Sequence, residues 1–373
     1  MTTATNKIDL LAEIEQLEQW QPNENNDDFI SISTIECHTG GEPLRIITNG
    51  FPTLNGKSIL AKRRDCQQHH DELRRALMFE PRGHADMYGA IITEAERSDS
   101  HFGAIFIHNE GYSTMCGHAV IALAKCAVES GMVEQTGEIT TVIIDVPCGQ
   151  IHAKAIANNV EKPNLITKVS FHSVPSFVFL DSQHVEVADV GNVAFDIAFG
   201  GAFYAYVNAP SLSLSLTPKH QGKLIEYGKK IKAAINKKIA VKHPYETDLS
   251  FLYGVIFVEE NKHSNPTSEN IHSRNVCIFA DGELDRSPTG SGVSGRIALH
   301  VTKNEVSLQQ SIIIESILGS QFQVKAVNKV NYGTVEQNYD AVIAEVSGDA
   351  FVCGKAQWLI NKEDPLKHGF LLR

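Results

Sequence analysis

The sequence predicts an α+β protein built from two similar halves, and three observations carry that reading. Short apolar runs suited to strands recur along the chain, while helical patterns are few and widely spaced, unlike the strand–helix alternation of a parallel sheet. Two segments, 111–124 and 285–299, share one shape: a turn, a small polar side chain followed by glycine (Cys116-Gly117 and Thr289-Gly290), then an apolar helix. The length of 373 residues suits two ordinary cores better than one. The two segments lie nearly half the chain apart, which suggests a duplicated unit with each copy presenting one helix N-terminus to a shared cleft. The expected divisions are an N-terminal extension over 1–28, a first domain over 29–180 carrying Cys116 that 350–373 can complete, and a second domain over 181–349 carrying Thr289.

In chain order, residues 1–28 read as a short acidic helix, with Leu10, Leu11, Ile14 and Leu17 on one stripe. The polar break Asn23-Glu24-Asn25-Asn26-Asp27-Asp28 separates it from the first core strand at 29–37. Strand-like runs follow at 44–47, 104–107 and 141–146, with a helix over 57–78 packed outside them. Further strands are expected at 168–171, 177–180, 202–207, 251–258, 276–279, 339–346 and 350–352. Over 223–238, Leu224, Ile231 and Ile235 make a helical apolar face, with Thr217 as N-cap and Pro218 in the first turn. Lys229, Lys230, Lys232, Lys237 and Lys238 then form its wet side rather than a binding patch.

With 42% hydrophobic and 21% charged residues, the composition is that of a soluble globular protein. No apolar run reaches the ~18 residues needed to cross a bilayer. The opening residues lack a basic n-region and a continuous apolar stretch, so a secretory signal is not expected. A net charge of −11 argues against nucleic acid and anionic membranes as partners. The seven cysteines (Cys37, Cys66, Cys116, Cys126, Cys148, Cys277, Cys353) include no CxxC pair, which suits reduced thiols in the cytoplasm.

Chemistry concentrates at the two glycine turns. The helix after Cys116 is apolar on every side, so it should be buried with its N-terminus facing a cleft. The first N–H groups there have no intrahelical partner, and the helix dipole adds positive charge. A carboxylate suits such an end, held by Gly117 and His118 on one side and Gly290 and Ser291 on the other. At that position the Cys116 thiol should fall below its free pKa of ~8.5 and give usable thiolate. Position alone leaves open whether Cys116 is a base or nucleophile, or only a small buried side chain. The histidines His38, His84, His101, His108 and His118 match no common zinc spacing, so no metal is expected. Cys116 with His118 carries no local signature of a thiol hydrolase.

Longer motifs surround these turns. Met115-Cys116-Gly117-His118 and Asp285-Arg286-Ser287-Pro288-Thr289-Gly290-Ser291-Gly292 resemble the two catalytic motifs of the proline racemase family, which includes the hydroxyproline epimerases. His38-Thr39-Gly40-Gly41-Glu42-Pro43, the run from Pro81 through His84 and Asp86 to Tyr88-Gly89, Val174-Pro175-Ser176-Phe177, Asp364-Pro365-Leu366 and Gly369-Phe370 extend the resemblance from about Ile30 to the C-terminus. The resemblance implies two pseudo-symmetric domains, each a mostly antiparallel sheet wrapped around a central helix, as in diaminopimelate epimerase. It implies no cofactor and a small proline-like imino acid as substrate, and the sequence leaves the oligomeric state open, a homodimer included. It makes Cys116 an acid/base, places the carboxylate on the Gly117–His118 and Gly290–Ser291 N–H groups, sets His118 and Asp285 at the ring nitrogen, and walls the pocket with Tyr88 and Phe279.

One departure bears on activity. Racemases and epimerases of the family carry a second cysteine where this chain has Thr289, and a hydroxyl titrates far too high to replace a thiol as acid/base at neutral pH. The Cys/Thr pair resembles the branch that dehydrates trans-3-hydroxy-L-proline to Δ1-pyrroline-2-carboxylate. In that substrate the 3-hydroxyl lies on the same face as the α-hydrogen, so Cys116 alone could serve, with Thr289 only positioning. The alternatives are a 4-hydroxyproline 2-epimerase or proline racemase, and an amino-acid-binding protein without turnover. Thr289 speaks against the first and the thiol against the second.

Overall fold

The computed structural model describes residues 28–158, 162, 164–260 and 271–372, together with Ile14. The expected N-terminal helix therefore lies outside the described residues, apart from Ile14, which is helical and exposed. The fold is mixed α/β, with a large sheet and few helices, and its eighteen described strands are continuous by hydrogen bonding. Pairing is mostly antiparallel; the parallel pairs are Glu42–Asn49 with Gly89–Thr93, Phe102–Ile107 with Ile139–Val146, Phe203–Asn208 with Leu252–Glu260, and Ile271–Phe279 with Ile312–Glu315.

The first and last long strands lie side by side. Phe29–Thr39 runs antiparallel to Ala350–Asn361, with Phe29 opposite Asn361 and Thr39 opposite Ala350. Asn338–Gly348 pairs antiparallel with Lys168–His172 and with Ser176–Val187. The strand Ser176–Val187 runs through the expected boundary at 180/181.

Every strand expected from an apolar run is present, generally longer at its ends. Seven others among the described residues were not foreseen: Gly89–Thr93, Tyr112–Ser113, Gly149–Ile156, Gly191–Phe199, Glu283–Leu284, Ile312–Glu315 and Gln321–Gly333. Several of these are amphipathic. In Gly149–Ile156 only Ile151, Ala153 and Ala155 are buried, between exposed His152 and Lys154, and two of the three inward residues are alanines with little strand preference. Their smallness lets the strand lie close against the first central helix.

The helices are α1 (Ile59–His69), α2 (Asp71–Met78), α3 (Gly117–Glu129), α4 (Gln221–Lys238) and α5 (Gly290–Thr302). The expected helix over 57–78 is thus two, broken at His70. Ser58 caps α1, its hydroxyl accepting the Ala61 N–H at 3.1 Å, and Asp71 and Glu72 place negative charge in the first turn of α2. Thr217 does not cap α4. It precedes a separate 3-10 turn, Pro218–His220, its side chain makes no capping bond, and the N-cap position falls on His220. Pro218 lacks an N–H and starts the tighter turn, which sets Thr217 too far back to reach the first free N–H groups of the α-helix. Leu224, Ile231 and Ile235 are buried and Lys229, Lys237 and Lys238 exposed, as the pattern requires. Lys232 departs from it: its Nζ donates to the Ala280 carbonyl at 2.7 Å and lies 3.5 Å from Glu110.

α3 and α5 are the central helices. In α3 only Cys126 and Glu129 are not buried, and in α5 only Thr302 is not. α3 packs against Phe29–Thr39, Ile139–Val146, Gly149–Ile156, Lys168–His172 and Ala350–Asn361; α5 packs against Ser176–Val187, Gly191–Phe199, Phe203–Asn208, Gln321–Gly333 and Asn338–Gly348. Strands therefore enclose each helix, and each points its N-terminus at the other.

Candidate active site

The short strand Tyr112–Ser113 leads into the turn that ends on Cys116, the N-cap of α3. Its backbone is extended (φ −144°, ψ 104°), and its Sγ accepts the Ala119 N–H at 3.4 Å. The first helical bond runs from the Val120 N–H to the Cys116 carbonyl at 3.0 Å, so the Gly117 and His118 N–H groups lie ahead of it. α5 begins in the same way, with the Val293 N–H donating to the Thr289 carbonyl at 2.8 Å. Thr289, however, is left-handed at φ 69°, a strained conformation for a β-branched residue. Its side chain does not cap the helix, and its buried hydroxyl has no hydrogen-bond partner of good geometry, although it lies close enough to the Asp285 carboxyl to lower its pKa.

The two helix ends touch through glycine. A Cβ on Gly117 would fall 2.5 Å from the Gly290 Cα, and one on Gly290 would fall 2.6 Å from the Gly117 Cα. This close approach brings every site residue expected from the sequence to one cavity: Cys116, Thr289, Gly117, His118, Asp285, Gly290, Ser291, Tyr88 and Phe279. The cavity is narrow, with a volume of about 20 Å³, near that of one water-sized sphere.

Met115, Tyr204 and Tyr253 complete the lining and were not foreseen. The tyrosines stand in runs (Phe203–Asn208 and Leu252–Glu260) otherwise rich in apolar residues, where a buried phenol needs a partner; that polar atom was the available signal. Tyr204 finds its partner in the Ser291 hydroxyl at 2.7 Å, whereas the Tyr253 hydroxyl has none of good geometry. Phe279 stacks on Tyr253 at 5.4 Å and meets the Tyr88 ring edge-on at 6.0 Å.

Burial dominates the electrostatics. The expectation of a lowered Cys116 pKa is overturned: desolvation pushes the thiol well up, the Ala119 N–H and the Tyr88 hydroxyl oppose this, and the carboxyls of Asp285 and Glu42 add to it. A helix end lowers a thiol pKa where water can still solvate the thiolate, and here the surroundings are closed. Burial holds His118 down at about 3, so its imidazole is neutral. Its Nδ1 lies 3.2 Å and its Nε2 3.6 Å from the Cys116 Sγ. Burial raises Asp285 from 3.8 to about 6, against a 2.7 Å hydrogen bond from the Ser287 N–H. Glu42 is pushed well up by burial and by Asp285, while accepting the Arg286 N–H at 2.7 Å.

The other histidines disperse. His101 and His84 each accept a backbone N–H, from Ile143 at 2.9 Å and Asp86 at 3.2 Å, and His38 stacks on Phe351 at 5.3 Å. His108 stacks behind Tyr88 at 5.7 Å. Among the described residues no group of three His, Cys, Asp or Glu side chains is placed to hold a metal ion. The seven cysteines are free, with Cys37 and Cys126 3.6 Å apart.

Two converging helix N-termini can hold a small anion between them, beside a thiol, a neutral imidazole and a buried carboxyl. Such a site suits an enzyme that handles protons on a small carboxylate. The chain belongs to the proline racemase family, whose model matches residues 34–371. It is 63% identical to the trans-3-hydroxy-L-proline dehydratase of Colwellia psychrerythraea over 96% of this chain and 97% of that protein. It is 43% identical to the 3-hydroxyproline 2-epimerase of Burkholderia multivorans, over 92% of this chain and 98% of that one. The crystal structure of a hydroxyproline epimerase from Agrobacterium vitis with bound trans-4-hydroxy-L-proline superposes with a TM-score of 0.83 at 28% identity, covering 92% of this chain and 96% of that one. Among the described residues no helix is long and apolar enough to cross a membrane.

Proposed function

We propose that the chain is a cofactor-free hydro-lyase that converts trans-3-hydroxy-L-proline to Δ1-pyrroline-2-carboxylate. The observation that carries this reading is the asymmetry of the cavity, where one helix begins with the thiol of Cys116 and the other with the hydroxyl of Thr289. The high identity to a protein named for that dehydration supports it.

The substrate carboxylate sits between the Gly117–His118 and Gly290–Ser291 N–H groups. The ring ammonium faces Asp285, which is mostly ionised at neutral pH with a pKa of about 6, and the neutral imidazole of His118. Tyr88, Tyr253 and Phe279 pack the ring. The ammonium brings the positive charge that the buried Cys116 lacks, which makes its thiolate accessible once substrate is bound. Cys116 takes the α-proton, the C–H electrons form the C2–C3 double bond, and the C3–O bond breaks. The oxygen gains a proton and leaves as water. The resulting enamine tautomerises, so no acid on the opposite face is needed.

An epimerase needs that second acid, which Thr289 supplies poorly. The division into domains over 29–180 with 350–373 and over 181–349, each around its own central helix, belongs to the same proposal. So does a cytoplasmic location, in keeping with the free cysteines. The test is incubation with trans-3-hydroxy-L-proline, 4-hydroxyproline and proline, following imine formation and optical rotation. Imine formation from the first alone is expected; rapid change of rotation with the others would overturn the assignment.

A further inference from the structure

Dehydration needs a proton for the departing oxygen, delivered on the face where Cys116 works. The groups on that side are few. Burial keeps His118 neutral, so it carries no imidazolium proton to give. Tyr204 is committed to Ser291 at the opposite helix end. Asp285 is occupied with the ring ammonium in the proposed mode of binding.

Tyr88 remains. It is 2% exposed, and its hydroxyl is hydrogen-bonded to the Ser113 hydroxyl at 2.5 Å. Ser113 belongs to the strand that leads into the Cys116 turn and donates a long bond (3.3 Å) to the Met115 carbonyl. The Tyr88 ring meets His118 edge-on at 4.8 Å, so the phenol lies on the Cys116 side of the cavity. Its hydroxyl is near enough to the Cys116 thiol to lower that group's pKa. Burial raises the phenol's own pKa, which keeps its proton in place at neutral pH.

We infer that the Tyr88 phenol is the acid that protonates the departing 3-hydroxyl, an inference that rests on the dehydratase reading. The Cys116 thiolate takes the α-proton while the C3–O electrons leave with the oxygen. The oxygen takes the Tyr88 proton and departs as water. The proton now on Cys116 passes to the Tyr88 oxyanion, which the Ser113 hydroxyl can hold meanwhile as a donor. Thiolate and phenol are both restored, and the balance is one substrate to one enamine and one water.

The test is Tyr88→Phe, which keeps the ring that walls the pocket, assayed on trans-3-hydroxy-L-proline and on trans-3-chloro-L-proline. Chloride leaves without a proton. Loss of a positioned general acid is expected to lower kcat on the hydroxyl substrate by about 10²-fold or more, with KM little changed, and to leave chloride elimination within about fivefold. Equal losses on both substrates, or none on either, overturn the inference, because Tyr88 would then only shape the pocket or tune Cys116. Should Tyr88→Phe not fold, Ser113→Ala is read with the same pair, a selective loss supporting the relay and an equal loss overturning it. A parent enzyme that dehydrates nothing would instead overturn the dehydratase reading itself.

Discussion

Gly117 and Gly290 meet backbone to backbone, each with room for no Cβ against the other. They are the first residues of α3 and α5, so this one contact sets how closely two helix N-termini approach and aims both at one cavity. The positive ends of two dipoles repel, and an anion held between them relieves that repulsion.

Gly290→Ala should separate the helix ends. Its methyl would lie 2.6 Å from main-chain atoms, which yield less readily than a flexible side chain. Overpacking of this kind costs about 1–3 kcal/mol. A thermal midpoint lower by several degrees and a marked loss of turnover are expected. An unchanged melting curve with full activity would show that the contact is not a constraint.

Cys116→Ser should abolish dehydration while leaving substrate binding nearly intact. The hydroxyl keeps the shape and the N-cap position but offers no accessible anion. Single-turnover assays with calorimetric binding on the same preparation separate the two effects. Turnover near the parent's rate would exclude the thiol as the base.

Binding should strengthen with rising pH through the Asp285 titration. Below about 6 its carboxyl is protonated and offers no charge to the ring ammonium; above it, the carboxylate pairs with that cation. Affinity for trans-3-hydroxy-L-proline, measured in the Cys116→Ser background to prevent turnover, should rise up to about tenfold per pH unit on the acid side and then level off. Asp285→Asn should bind weakly, without this slope. Persistence of the slope in the Asn variant would assign it to another group.

Thr289→Cys should gain exchange or epimerisation at the α-carbon of proline or 4-hydroxyproline, because it restores a thiol at the second helix start. Dehydration should persist in part, since its same-face chemistry belongs to Cys116. Deuterium incorporation from solvent reports the gain, and the parent should show little under the same conditions. Efficient racemisation of proline by the parent would remove the main support for a dehydratase.

The resemblance to the family supplied Tyr88, Phe279 and Asp285, whereas local patterns were enough to mark the two glycine turns and the buried helices after them. Each follows from chemistry carried within a few positions: an apolar helix, a glycine where backbones must approach, a thiol or hydroxyl at an N-terminus. The same reasoning misplaced the cap of α4 at Thr217, because a proline there can open either a 3-10 turn or an α-helix. It missed Gly149–Ile156, whose inward alanines carry no strand signal until the neighbouring helix is known. It also reversed the direction of the Cys116 shift. The helix end is a local feature, but the desolvation and the carboxyls of Glu42 and Asp285 come from segments far apart in the chain. Tyr204 and Tyr253 joined the site for the same reason, since strand order decides which buried phenols face the cavity. Sequence alone determined which groups could do chemistry; the packing of two distant helix ends and their strands around one cavity decided how dry their surroundings are, and so which of them keep their protons.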